Sequence, residues 1–153
     1  MYSATVGLVK ATWHAEAVDA FAISCSSELK SKDKQIKVNT YNVPGVVEIP
    51  LFTQKLIQSQ TVDIVVVVGL IADHGVYRHD FVASTVMDAT MKVQMETGVP
   101  IIYGILTPQE FMSEGREEFF KEHFIKKGLE AATSVLATLE NERLLAGLIE
   151  KPG

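Results

Sequence analysis

Residues 62–81 read VDIVVVVGLIADHGVYRHDF, and this stretch decides the fold. The run at 62–68 is β-branched and too continuously apolar to keep a wet face, which predicts a strand buried on both sides in a parallel sheet. The loop that follows leaves the C-terminal end of that strand, where open α/β sheets place their ligands. It carries a turn glycine (Gly75), an aromatic (Tyr77), a fixed cation (Arg78), two imidazoles (His74, His79) and a carboxylate (Asp80). A polar cluster of this kind does not serve sheet packing and reads as a binding site.

Strand and helix patterns alternate on either side. Residues 5–10 predict a first strand and 15–29 a helix, with Trp13 or His14 at its mouth. Residues 36–41 alternate apolar and polar, the pattern of a more exposed, edge-like strand. Val43-Pro-Gly45 punctuates the chain, and 46–58 reads as a helix with Pro50 near its start. A third helix is expected over 80–97, stopped by Gly98 and Pro100. A fourth strand follows at 101–106, then a polar, aromatic-rich stretch at 109–124 and a last helix from about 128 to 145. The whole predicts an α/β three-layer sandwich, a four-stranded parallel sheet with right-handed crossovers and helices on both faces. A single domain over 1–153 is expected, since no internal repeat or low-complexity segment interrupts it.

Composition narrows the function classes. With 47% hydrophobic and 22% charged residues the chain is ordinary globular material. A net charge of -5 argues against a nucleic-acid partner, which would call for a basic face. The one local basic cluster, Lys30-Ser-Lys-Asp-Lys34, reads as a solvated loop. The single cysteine, Cys25, lies in an apolar helical segment and cannot form an internal disulfide, which fits a reducing cytoplasm. Neither a signal peptide nor a membrane span is evident, so no membrane partner is expected.

The third helix bears on assembly. Val82, Val86, Ala89 and Val93 share one face, while Met87, Met91 and Met95 fall on nearly the opposite one. One stripe can pack on the home sheet. The other needs a further partner, either another part of this chain or, as the better fit, a second copy.

Several motifs are missing. No GxGxxG follows the first strand, where Val9-Lys-Ala-Thr-Trp13 holds no glycine, and no GxxxxGK[ST] or GxSxG is found. Neither HExxH nor a cysteine pair supports zinc, which leaves the loop holding Asp73, His74, His79 and Asp80 as the place where a metal could bind. What remains is an apolar scaffold whose strand ends carry aromatics and cations, suited to a flat, polar organic ligand with a phosphate.

Four elements carry a resemblance. Val43-Pro-Gly-Val-Val-Glu-Ile-Pro50 looks like the PG-x-x-E-I-P element of the lumazine synthases, the penultimate enzymes of riboflavin biosynthesis. Met95-Glu-Thr-Gly-Val-Pro100, Tyr103-Gly-Ile-Leu-Thr107 and Lys127-Gly-Leu-Glu-Ala-Ala132 resemble three further elements of that family, in the same order and spacing. Thr12-Trp-His-Ala15 and Tyr77-Arg-His-Asp-Phe-Val82 are more narrowly similar to the type II group of rhizobial and Brucella-like bacteria.

This resemblance implies a flavodoxin-like fold, and homopentamers that pair into decamers, with active sites between neighbouring subunits. It implies a transferase that condenses 5-amino-6-(D-ribitylamino)uracil with 3,4-dihydroxy-2-butanone 4-phosphate to give 6,7-dimethyl-8-ribityllumazine, without metal or organic cofactor. By the same resemblance, Trp13 stacks on the pyrimidinedione and Glu48 accepts hydrogen bonds from the ribityl hydroxyls. Val46 and Val47 offer backbone contacts, as do Leu70, Ile71 and Ala72 at the strand end. Gly75 and Val76 complete the loop's share, and Tyr103 reaches across the subunit interface. Each has a plainer reading: a packed tryptophan, a first-turn glutamate, ordinary apolar strand ends, a core tyrosine.

The chain also departs from the common family pattern. Val47 stands where most members have an aromatic. Arg78 stands where most have a histidine, and His79 where most have an aromatic. The usual arginine ahead of Lys127 has no counterpart in Glu118-Phe-Phe-Lys-Glu-His-Phe124. Arg78, His123 and Lys127 are thus expected to hold the phosphate, and His79 to act as the acid–base group. Alternatively Arg78 takes the catalytic place that strict alignment gives it, and Lys127 belongs to a solvated helix start. Three readings follow: the lumazine-forming enzyme, a weakly active or non-catalytic flavin or lumazine binder, and a self-assembling scaffold.

Overall fold

The computed structural model describes residues 3–72, 78–108 and 116–150. Four strands, β1 (Ala4–Ala11), β2 (Ile36–Val43), β3 (Ile64–Leu70) and β4 (Ile101–Leu106), form one parallel sheet in the order β2-β1-β3-β4. The helices are α1 (Ala15–Lys32), α2 (Ile49–Gln58), α3 (His79–Thr97) and α4 (Arg116–Glu150). This is the strand order of a flavodoxin-like doubly wound sheet, whose direction of winding reverses between β1 and β3.

Burial follows from that order. Every residue of β3 is buried, as its unbroken β-branched run requires, while β2 keeps the alternating burial of an edge strand. One face of the sheet packs under α1 and α4 through Leu8, Val66, Phe21 and Phe124. The other packs under α2 and α3 through Val9, Val65, Val67, Ile49 and Val86. The three layers expected from the sequence are therefore present.

Element boundaries differ from the reading in instructive places. The helix expected at 46–58 opens as a 3-10 turn, Val46–Glu48, and becomes α-helical only at Ile49. Pro50 then sits in the first turn, where its missing N–H leaves no helical bond unmade. The third strand is shifted two residues along, since Asp63 is pinned beside the sheet end. Its N–H donates to the Thr5 carbonyl at 2.8 Å, and its Oδ2 accepts from the Thr5 N–H at 2.8 Å.

The largest difference is α4, which already includes residues 116–124 and runs straight through Gly128. Phe120 and Phe124 fall on the face that also buries Ala131, Ala132, Val135 and Leu139 against the α1 layer. Gly128 looked like a helix start because glycine costs about 1 kcal/mol inside a helix. Here it lies where the two helices cross, and an added Cβ would collide with Ser24 Oγ and the Phe21 carbonyl of α1.

Met87, Met91 and Met95 stand exposed on α3, while Val86 and Val93 are buried. Nothing in the described part of the chain covers the methionine stripe. No helix among the described residues is long and apolar enough to cross a membrane.

Candidate functional site

The C-terminal ends of β1 and β3 diverge at the point where the winding reverses, and a cavity of about 230 Å³ lies there. Three short segments wall it. Trp13 and His14 come from the turn between β1 and α1, Gly45 to Glu48 from the link between β2 and α2, and Leu70 to Ala72 from the end of β3. His79 and Val82, from the first turns of α3, close the remaining side.

Hydrogen bonds fix these segments to one another. The Thr12 N–H donates to the carbonyls of Val43 (3.0 Å) and Pro44 (3.3 Å), and its hydroxyl donates to Pro44 O at 3.1 Å. The turns after β1 and β2 are thereby joined. Ile71 N–H donates to Leu106 O at 2.9 Å, extending the sheet ladder past β3.

Gly45 lies beneath the Trp13 indole. A Cβ there would be 3.6 Å from the ring's Cε3 and Cζ3, so the ring rests against backbone. Trp13 is 68% exposed, which leaves most of its surface open to a ligand and sets aside the packed-tryptophan reading within one chain. Glu48 has two roles available. Its Oε1 accepts the Gly45 N–H at 3.2 Å, an N-terminal capping contact, while its carboxylate still lines the cavity. Glu48 thus serves the first turn and lines the cavity at once.

The neighbours Arg78 and His79 separate. The half-buried His79 lines the cavity. The Arg78 guanidinium lies 3.7 Å from the centroid of the Phe81 ring, outside the cavity walls. Val46, Val47, Leu70, Ile71 and Ala72 are all brought to the cavity with Trp13, Glu48 and His79. Gly75 and Val76 lie outside the described residues, as do Asp73, His74 and Tyr77.

Tyr103, His123 and Lys127 are not brought to this cavity by their own chain. Tyr103 packs half-buried on β4, at the margin of the α2–α3 layer, and burial raises its hydroxyl pKa. His123 and Lys127 belong to α4, on the opposite face of the sheet. The His123 ring is parallel to that of Phe119, with centroids 6.5 Å apart. Lys127 Nζ pairs with Glu130 Oε2 at 3.0 Å, and this hydrogen bond, with the positive charge of Lys127 and its neighbours, holds the Glu130 carboxyl below its ordinary range.

The sequence reading missed His14, Gly45 and Val82 as cavity residues. From the sequence Gly45 reads as punctuation, and His14 as an alternative to Trp13 at the helix mouth. A larger apolar groove of about 380 Å³ adjoins the cavity, sharing Val47 and Val82 and running between α2 and α3 past Leu51 and Phe81. Among the described residues no three His, Cys, Asp or Glu side chains are grouped to hold a metal ion.

A flavodoxin-like sheet with an exposed indole, a carboxylate and an imidazole at its winding reversal has the chemistry to receive a small, flat, polar ligand. Comparison with known proteins gives the family. The profile of the family described as 6,7-dimethyl-8-ribityllumazine synthase matches residues 3–143. The chain is 39% identical over 145 residues to 6,7-dimethyl-8-ribityllumazine synthase 2 of Bradyrhizobium diazoefficiens, covering 94% of this chain and 87% of that one. It is 37% identical over 145 residues to 6,7-dimethyl-8-ribityllumazine synthase of Rhodococcus erythropolis, covering 92% of each. A further relative, 6,7-dimethyl-8-ribityllumazine synthase 2 of Pseudomonas syringae pv. tomato, is 37% identical over 145 residues. The chain belongs to the 6,7-dimethyl-8-ribityllumazine synthase family.

Proposed function

We propose that this protein is a transferase of riboflavin biosynthesis. In this reading it condenses 5-amino-6-(D-ribitylamino)uracil with 3,4-dihydroxy-2-butanone 4-phosphate to 6,7-dimethyl-8-ribityllumazine. Family membership supports the reading, and the observation that carries it is the convergence of Trp13, Glu48 and His79 on one cavity. Trp13 stacks on the pyrimidinedione and the Glu48 carboxylate receives ribityl hydroxyls. The strand end at Leu70, Ile71 and Ala72 gives the heterocycle a backbone edge. His79 relays protons as the amine meets the ketone, phosphate leaves and the ring closes, a task suited to an imidazole that can both accept and donate a proton. Arg78 holds or neutralises the phosphate.

The working unit is a homo-oligomer built on pentamers and most simply a decamer, acting as one domain per chain in the cytoplasm. Two observations favour it. Tyr103, His123 and Lys127 do not line their own chain's cavity, and the α3 methionines are uncovered. Supply of those residues by a neighbouring copy would complete each site. A binder with weak turnover is the second reading, favoured by Arg78 lying over Phe81 instead of in the cavity. Mixing the purified protein with both substrates decides between them. Lumazine absorbance and fluorescence rising in proportion to protein is the expected result, and ligand binding without turnover leaves only the second reading.

A further inference from the structure

We propose that Glu16 and Lys121 are positioning residues whose ion pair sets the stance of the opening turns of α4. The role rests on the reading above, in which His123 and Lys127 of one copy complete a neighbour's site for the phosphate-bearing substrate. Lys121 Nζ donates to Glu16 Oε1 at 2.7 Å, joining residues 105 positions apart. Glu16 stands in the first turn of α1, just past Trp13 and the left-handed N-cap His14 (φ 58). Lys121 stands on α4 shortly before His123 and Lys127. One contact thus ties the mouth of a chain's own cavity to the groups it presents to the next.

The pair is set apart by what it connects. Lys32 with Glu28, Lys92 with Glu96 and Lys127 with Glu130 each close within one helix, whereas Lys121 reaches across to α1. Asp19, one turn on from Glu16, pairs with Lys10 of β1. The two carboxylates therefore hold the start of α1 to β1 on one side and to α4 on the other. The Trp13 turn is fixed several times over, by the Thr12 bonds to Val43 and Pro44 and by the indole resting on Gly45. The start of α4 packs through Phe120 and Phe124, and apolar contact carries no directional preference. His123 and Lys127 lie one turn apart on one face, so a small roll of α4 displaces both together. A hydrogen-bonded ion pair opposes that roll.

The side chains of Lys121 and Glu16 are 39% and 58% exposed, and an exposed pair is worth at most about fivefold in an equilibrium. Its loss is too small to threaten the fold. It is large enough to register in affinity for the one substrate whose contacts depend on α4.

The test uses Glu16→Gln, Lys121→Met, the double variant and Lys121→Arg in the full assembled protein. The probe is 3,4-dihydroxy-2-butanone 4-phosphate, followed by calorimetric titration and by KM. Glu16→Gln and Lys121→Met should each weaken its binding about two- to fivefold. KM for the ribitylated substrate and kcat should stay at wild-type values. The double variant should be no worse than the weaker single, because both changes remove one contact. Lys121→Arg, which keeps a charge and a donor, should match wild type. Wild-type affinity in Glu16→Gln overturns the proposal, and if Lys121→Met alone is weakened the lysine touches phosphate itself. Additive losses overturn it too, as does equal loss for both substrates, which marks a general structural role. A wild-type protein that does not take up the probe overturns the reading of the site, and the proposal with it.

Discussion

Arg78 and Phe81 form a cation–π pair one helical turn apart, the guanidinium 3.7 Å from the ring centroid, at the mouth of α3. Arg78 makes this contact outside the cavity walls, while its neighbour His79 lines the cavity. Adjacent residues of one motif therefore take different positions, and different chemistry follows. Arg78→Ala should mainly raise KM for the butanone phosphate. His79→Gln should slow single-turnover chemistry at saturating substrate with little change in phosphate-substrate affinity. Full rate in His79→Gln across about pH 6–8 removes the imidazole from proton transfer.

Trp13 should report on the ring. Its exposed indole is positioned to stack, so product or flavin should quench its fluorescence. Trp13→Ala should weaken product binding by about tenfold or more, since stacking is worth about 0.5–1.5 kcal/mol beyond the apolar area lost. Affinity unchanged in titration calorimetry would assign Trp13 to subunit packing.

Gly69 should tolerate nothing larger. An added Cβ would lie 2.5 Å from Val46 Cγ1, where the 3-10 turn presses on the end of β3. Gly69→Ala should cost about 1–3 kcal/mol in denaturant unfolding. It should also weaken ligand binding, because Val46 carries one cavity wall.

The buried thiol of Cys25 gives a pH test. Burial pushes it from 9.0 up to about 12. A folded-state pKa raised in this way contributes stability that is fully present below pH 9.0 and is lost as pH rises towards about 12, because the unfolded chain ionises first. Between those limits the slope is up to about 1.4 kcal/mol per pH unit. The denaturant midpoint should fall more steeply from about pH 9 upward in wild type than in Cys25→Ala. Thiol reagents should leave the native protein unmodified at neutral pH and label it after unfolding.

Met91→Glu should weaken assembly. The methionine face of α3 is exposed in the single chain, and a carboxylate buried there against another copy would have no partner. Sedimentation should show smaller particles than wild type at the same concentration. A wild-type protein that sediments as a monomer at micromolar concentration defeats the oligomer reading.

Much of this molecule is legible in its residues. The run at 62–68 points to a central parallel strand because a continuous β-branched stretch has no wet face, although the strand itself spans Ile64–Leu70, and Gly98 marks the end of α3 because it takes the left-handed C-cap, φ 71. Trp13, Glu48 and the Leu70–Ala72 segment, which the family resemblance implies as site residues, all line the cavity. The extent of α4 was not legible, because Phe120, Phe124 and Gly128 make helical sense only against α1.

The sequence by itself determined the alternation of strands and helices and the family, since these depend on local periodicity and short ordered motifs. Only the tertiary structure decided that His79 lines the cavity and Arg78 does not, that His14 belongs to the wall, and that Tyr103, His123 and Lys127 do not line it. Those outcomes depend on helix phase, a left-handed backbone at one residue and the sheet face on which each helix packs. All three are fixed by contacts between segments far apart in the chain, which no local pattern records.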